Sequence, residues 1–247
     1  MAWADAGELS LVPLKNEAGR AVLDGPLLRR LEDLAARATA EPLILGGTGE
    51  FCRGLDLASV LDRPRGEAAG MLRAFAVLLE KLTSAPVPIV AVVDGAALGG
   101  GAGLAAVADF VVATPRARFA LPEMLFGLVP AVVFPYVARR VGLARARAMA
   151  LSGAALDARE ALGIGLVDQV ADDWQDAVLR ETRRWSRLSP RARAMFRALL
   201  ARSWPVSGKY VSDAVAVFST LLEEGDAPSR IQRYLAGAAP WSGEHDE

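Results

Sequence analysis

The sequence predicts an α/β fold: a largely parallel sheet with crossover helices, then a helical C-terminal region. Three observations carry this. Up to about residue 120, short apolar runs alternate with helical patterns across short connections, which favours right-handed crossovers and parallel pairing. Residues 86–103, PVPIVAVVDGAALGGGAG, read as a buried strand, a turn at Asp94-Gly95 and a glycine-rich helix start. From Pro122 onward almost every segment has helical periodicity.

The elements follow in order. Residues 8–14 alternate enough for an edge strand, and residues 20–23 are its expected partner across the turn at 16–19. Asp24 is the expected N-cap of a helix reaching about Ala40, with Pro26 in its first turn and Leu27, Leu28, Leu31 and Leu34 on one face. Residues 42–45 form a short buried strand. A glycine-punctuated loop then leads to a helix near Leu57, with Asp56 as its cap. Residues 62–70 are polar and carry Pro and Gly, so a mobile loop is expected before a helix over 71–83. After the glycine run, strands are expected at 110–113, 118–120 and 166–170. Helices are expected at 132–141, 144–151, 158–162, 174–187, 191–203, 209–224 and 229–236, with a frayed end from Ala239. This divides the chain into an α/β core over 1–185 and a helical region over 186–247.

The totals narrow the function classes. The chain has 247 residues, 53% apolar, with a net charge of −1, enough for one large domain and no electrostatic case for nucleic acid or an anionic membrane surface. Cys52 is the only cysteine and there is a single histidine, so neither an internal disulfide nor a Cys/His zinc site is expected, and no metal site is assigned. No leader-like opening and no apolar run of about 18 residues is present, so a cytoplasmic protein is expected.

The glycine run is where chemistry can be placed. A strand feeding a glycine-rich helix N-terminus points several main-chain N–H groups at one spot, with the positive end of the helix dipole behind them. Such a spot holds negative charge, and glycine lets the ligand approach closely. One reading is a dinucleotide site, since Gly101 to Ala106 satisfies G-x-G-x-x-A and Glu123 follows 20 residues after Gly103. Against it, Asp94 to Leu98 separate the strand from the first glycine, and the next strand ends well before Glu123. A second reading is tight helix–strand packing alone, although three consecutive glycines lower helix stability more than packing requires.

A second glycine loop favours a third reading. The segments EFCRGLDL (50–57), PIVAVVDGAALGGGAGLAAVADFVVATPRARFALPE (88–123) and GLVDQV (165–170) resemble, in order, the crotonase superfamily of enoyl-CoA hydratases and isomerases. The resemblance implies a ββα spiral core with a C-terminal helical trimerisation region. It also implies a substrate that is an acyl thioester, with coenzyme A or phosphopantetheine as carrier and no further cofactor. Its carbonyl would lie between two main-chain amides, here assigned to Arg53 and Gly100, which stabilise an enolate oxyanion. Gly99, Gly101, Gly103, Leu55, Phe126 and Phe134 are the expected substrate-binding positions. Glu123, in Leu121-Pro122-Glu123, is the expected acid/base, its pKa raised by apolar neighbours; read from its local sequence alone it is a first-turn glutamate favoured by the helix dipole. Family hydratases carry a second glutamate after the glycine run; here that position is Gly103.

One carboxylate fits a double-bond isomerase, a dehydratase with a single acid/base, or a decarboxylase. The run FGLVPAVVFPYVARR (126–140) and the segment SRLSPRARAMFRALL (186–200) are similar to the enoyl-hydratase homologues of bacterial polyketide β-branching cassettes. That resemblance implies an acyl carrier protein as partner and covers both dehydration of a 3-hydroxy-3-methylglutaryl group and decarboxylation of a 3-methylglutaconyl group; the retained Glu123 favours dehydration. A non-catalytic relative binding an acyl carrier is the remaining alternative, and a homotrimer or hexamer is implied. His245 is a candidate only if a decarboxylating relative folds it over the pocket. Tyr136, Lys81, Cys52 and Ser152 read as packing or surface residues.

Overall fold

A computed structural model of the chain describes residues 11–39, 41–46 and 49–242. Five strands form a wholly parallel sheet in the order β1 (Leu11–Pro13), β2 (Leu43–Gly46), β3 (Ile89–Val93), β5 (Phe110–Ala113), β8 (Gln169–Val170). A second, smaller sheet joins β4 (Ala96–Leu98), β6 (Arg118–Ala120) and β7 (Leu156–Asp157), the first pair parallel and the second antiparallel. All five residues of β3 are buried, as expected of a central parallel strand. Its side chains divide by parity. Val90 and Val92 join Ile44 and Val112 under Ala177 and Val178 of α8 (Trp174–Ser186). Ile89, Ala91 and Val93 join the large core with α1 (Gly25–Arg37) and α3 (Arg65–Ser84).

Two aspartates fix the strand starts. Asp109 accepts from the amide of Ile89 at 2.7 Å and Asp168 from the amide of Val111 at 2.7 Å. Each also meets an arginine from a helix. Arg140 of α5 (Phe134–Val141) pairs with Asp168 and donates to the carbonyls of Leu166 and Ala108, both at 2.8 Å. Arg197 of α9 (Pro190–Ser203) is buried; it pairs with Asp109 and donates to Ala85 O at 2.6 Å and Leu82 O at 2.9 Å. The C-terminal helices are thereby tied to the core, and α10 (Gly208–Glu223) packs on α3.

The α/β class and most elements match the sequence reading, and Asp24 caps α1 through the amide of Leu27 at 2.9 Å. Four local expectations are corrected. Residues 20–23 do not pair with β1. The turn forms, with Gly19 N donating to Asn16 O at 2.9 Å, but Ala21 and Leu23 run alongside 53–56 instead. Residues 65–70 are helical rather than a loop, because Ala68 and Ala69 extend the buried stripe of α3. Residues 96–98, between the expected turn at Asp94-Gly95 and the glycine run, form β4 where no strand is expected. Asp56 stands at the N-cap of α2 (Leu57–Asp62) without capping it, its carboxylate being taken by Arg20 at 2.6 Å and Ser59 at 2.9 Å. Among the described residues no helix is long and apolar enough to cross a membrane and no cluster of metal-ligating side chains is found.

Candidate active site

Two glycine loops meet at the C-terminal ends of β2 and β3. The first carries residues 49–56; the second runs through β4 into α4 (Gly100–Ala106). They are joined by main-chain bonds: Phe51 N and Cys52 N to Ala96 O at 3.2 and 2.9 Å, and Leu98 N to Cys52 O at 2.9 Å. Asp94, buried below the junction, accepts from Gly49 N at 2.8 Å and from the Thr114 hydroxyl at 2.7 Å, and pairs with Arg116. Burial opposes its charge, yet these donors hold its carboxyl below the usual range.

The cleft beside this junction is lined by Arg53, Leu55, Gly99, Gly100 and Glu123, and beyond them by apolar residues that include Leu72, Phe75, Val133 and Phe218. Gly99 has φ +52°, and a Cβ built on it would lie 2.8 Å from Glu123 Oε1. The bare Gly99 thus lets the carboxylate rest against the start of α4. Glu123 opens a 3₁₀ turn over Glu123–Phe126, held in place as Gly99 N donates to Ala120 O at 2.9 Å. Its Oε2 is buried with no hydrogen-bond partner among the described residues. Burial pushes the carboxyl up to about 7, against a smaller pull from its own main-chain N–H. A buried, unpaired carboxylate of this kind is poised to exchange protons near neutral pH.

The amides require one correction. The main-chain N–H of Arg53 is not free: it donates to Ala21 O at 2.8 Å. The amide of Leu55, two residues on, has no partner among the described residues, because Leu23 bonds to Gly54 O and Asp56 N on either side of it. The amide of Gly100, first in α4, has none either, as a helix start dictates. A Cβ on Gly54 would fall 3.0 Å from Gly100 N, so the two loops touch at this point. The available pair is therefore Leu55 and Gly100. The Arg53 side chain does line the cleft mouth, paired with Glu50; Tyr234, beside Phe126, belongs to α11 (Ala227–Leu235).

Three other expected binding positions fall outside the cleft. A Cβ on Gly101 would lie 2.8 Å from the carbonyl carbon of Cys52, and one on Gly103 would lie 2.8 Å from Val133 Cβ, so both glycines serve packing. Phe134 borders a separate groove with Met124, Arg147 and Tyr210. Gly99, Leu55 and Phe126 do line the cleft, and Phe126 packs edge-on against Tyr234 with ring centroids 5.1 Å apart. Val133 and Phe218 were not singled out from sequence, because their apolar or aromatic character signals only core until the fold brings them to the cleft. Tyr136 is buried away from the cleft, its hydroxyl pushed up to about 12 by burial, and Cys52 is buried with its thiol likewise near 12. Lys81 pairs with Glu32, and Ser152 donates to Met149 O at 3.2 Å. His245 lies outside the described residues.

Comparison with known proteins gives the family. The family model for enoyl-CoA hydratase/isomerase matches residues 23–235. A Thermus thermophilus protein described as an enoyl-CoA hydratase is 34% identical over 179 residues, 69% of this chain and 71% of that protein. Several other curated relatives match over less than two thirds of their own length. Among solved structures, Pseudomonas aeruginosa AtuE is 33% identical with a TM-score of 0.72, covering 93% of this chain and 94% of that one. A Bacillus subtilis protein described as a polyketide-biosynthesis enoyl-CoA hydratase has a TM-score of 0.82 at 22% identity, covering 93% and 94%, a likeness of fold.

Proposed function

Because this chain belongs to the enoyl-CoA hydratase/isomerase family, we propose that it takes an acyl thioester into the cleft and holds the resulting enolate between the amides of Leu55 and Gly100, with Glu123 as its sole acid/base. The observation that carries this is Glu123: a carboxylate with a buried, unpaired oxygen, against the glycine start of α4. Its chemistry follows from that placement. The ionised Glu123 takes a proton from the carbon beside the thioester, and the electron pair moves onto the thioester oxygen. The two amides meet that oxyanion; removal of one such donor costs about 10²–10³ in rate.

The next step defines the product. In a dehydration, the enolate re-forms the carbonyl as a carbon–carbon double bond develops and the 3-hydroxyl leaves with the proton Glu123 acquired; water departs and the carboxylate is regenerated. One carboxylate serving both steps implies loss from a single face. We favour 3-hydroxy-3-methylglutaryl carried on an acyl carrier protein; the resemblance of residues 126–140 to the β-branching homologues supports this, and the Bacillus structure of like fold is described as a polyketide-biosynthesis enoyl-CoA hydratase, with no substrate or carrier named. The second reading is a double-bond isomerase, favoured by the same single carboxylate, which would return the proton to another carbon. Decarboxylation makes the least use of Glu123. Every step uses groups the chain supplies, so no cofactor is proposed beyond the substrate's own carrier. We further propose a homotrimer or hexamer.

The test is mass spectrometry of candidate acyl-ACP and acyl-CoA substrates after incubation with wild type and Glu123→Gln, with absorbance to detect isomerisation. Loss of water, loss of carbon dioxide and unchanged mass with a shifted double bond separate the three chemistries. Turnover that survives unchanged in Glu123→Gln on every accepted thioester removes Glu123 from the mechanism. Tight binding without turnover would point instead to a non-catalytic carrier-binding protein.

A further inference from the structure

A single stretch of chain separates the apolar part of the cleft from the protein surface. Val129, Pro130 and Ala131 line the cleft, and the same three residues line the groove that also holds Met124, Phe134 and Leu151. Leu151 is exposed, so this groove lies on the surface. Leu128 before the stretch and Val132 after it are buried, so any play is confined to these three residues. Among the described residues two hydrogen bonds fasten them. Phe134 N donates to Pro130 O at 2.9 Å, a local bond that closes the turn into α5. The Tyr210 hydroxyl donates to Ala131 O at 2.9 Å, and it alone reaches the stretch from a distant element. Tyr210 has a firm footing. It stands in the first turn of α10, where Ser207 accepts from its amide at 3.1 Å, and Ala214, Val215 and Phe218 of that helix are buried.

We propose that Tyr210 is a positioning residue that sets how long an acyl group the cleft accepts: its hydroxyl holds the wall at Val129–Ala131 shut, and the substrate must end short of it. The proposal rests on the acyl-thioester reading above and deepens it, because a closed wall selects a compact acyl group over a long hydrocarbon chain. Each further methylene buried in an apolar cleft strengthens binding about fourfold. The wall withholds that gain. Were Ala131 O released, the cleft and the apolar groove would join, and a longer chain could pass between them. Tyr210 touches no reacting atom; it acts through the main chain of Ala131.

Tyr210→Phe removes the hydroxyl and keeps the ring. A neutral hydrogen bond favours its closed state by about 2–12-fold, so the variant's wall should open that much more often. Two measurements test this. Amide hydrogen exchange reads the wall without substrate: exchange at Phe134 N, whose bond to Pro130 O breaks when the wall opens, should quicken about 2–12-fold, while the amides of β3 are unchanged. Calorimetric titration with butyryl- and octanoyl-pantetheine reads the length limit, with the arm that both carriers share. Wild type should bind the octanoyl thioester no more tightly than the butyryl one. In Tyr210→Phe the affinity ratio of octanoyl to butyryl should rise about 2–12-fold, which a purely structural loss would not produce. A wild type that prefers octanoyl by about 100-fold or more, a ratio equal in both proteins, or unchanged exchange at Phe134 each overturns the proposal. Failure of the thioester reading looks different: neither thioester binds either protein, although exchange at Phe134 still quickens in the variant, and the length limit then falls with that reading.

Discussion

Glu123 should weaken the fold in which it works, and replacing it should show by how much. Its carboxyl ionises near 7 in the folded chain because burial disfavours the charge, against an ordinary value of 4.5. Below about pH 4.5 the group is protonated in both folded and unfolded chains and contributes nothing. Between 4.5 and 7 the folded chain keeps a proton that the unfolded chain releases, so stability falls as pH rises, and the full penalty is present above 7. At about 1.4 kcal/mol per tenfold change in proton affinity, the interval corresponds to about 3 kcal/mol. Glu123→Gln removes the titration while keeping the shape. Its own constant cost, an amide placed where Oε2 has no partner, does not vary with pH. The stability difference between variant and wild type should therefore climb in the variant's favour by about 3 kcal/mol from pH 4.5 to above 7, while turnover is lost. Urea unfolding of both proteins across that range measures it. A difference that stays flat with pH would refute the burial argument, and with it the reason for regarding Glu123 as a tuned acid/base.

Four further outcomes are expected. The value of kcat/KM on any thioester the wild type accepts should rise with pH through about 7 and then level, because the ionised carboxylate is the acting base; a profile without that limb counts against it. Arg197→Met should cost about 3–5 kcal/mol in urea unfolding, since it strips Asp109 of its buried partner and leaves the carbonyls of Ala85 and Leu82 without their donor; a loss under about 1 kcal/mol would mean the contact is incidental. Gly101→Ala should yield little soluble protein, its new Cβ falling against the Cys52 carbonyl, whereas Gly66→Ala, with open space around it in α3, should melt at or above wild type. Sedimentation should give a trimer or hexamer, with Phe196→Glu shifting it towards monomer, because Met195, Phe196 and Trp204 of the C-terminal region stand 62%, 60% and 61% exposed in the single chain.

What the sequence disclosed was governed by how local its causes are. Strands β3 and β5 were legible because burial on both faces selects uninterrupted apolar runs. The hairpin expected from residues 8–14 and 20–23 failed because a distant partner outcompeted the near one: Arg53 N bonds to Ala21 O, and Leu23 N to Gly54 O at 2.8 Å. Strand β4 escaped notice because Ala96–Leu98 has no strand-forming composition and exists by pairing with β6. The same logic separates the site residues. Glu123 and Gly100 were named through the resemblance to the family's motifs, and both line the cleft. The choice between the amides of Arg53 and Leu55 could not be made that way, because it turns on a carbonyl, Ala21 O, that lies 32 residues away from Arg53 in sequence.

The geometry of the amide pair depends on atoms that are absent. Leu55 and Gly100 are 45 residues apart in sequence, and no side chain bridges them. Their separation is fixed by main chain resting on main chain. A Cβ on Gly95 would lie 2.9 Å from the carbonyl carbon of Gly49, one on Gly101 2.8 Å from that of Cys52, and one on Gly54 3.0 Å from Gly100 N. At each contact even a methyl group would push the loops apart. Such a shift is small on the scale of the fold but large for a hydrogen bond, which weakens steeply outside a few tenths of an ångström and a narrow range of angle. The three contacts bracket the two amides, with Gly54 and Gly101 each adjacent to one of them. Conformational freedom in the glycines is thereby converted into rigidity at the site: once the loops have closed on each other, and Asp94 has locked Gly49 to Thr114 and Arg116 beneath them, the donors are fixed before substrate arrives.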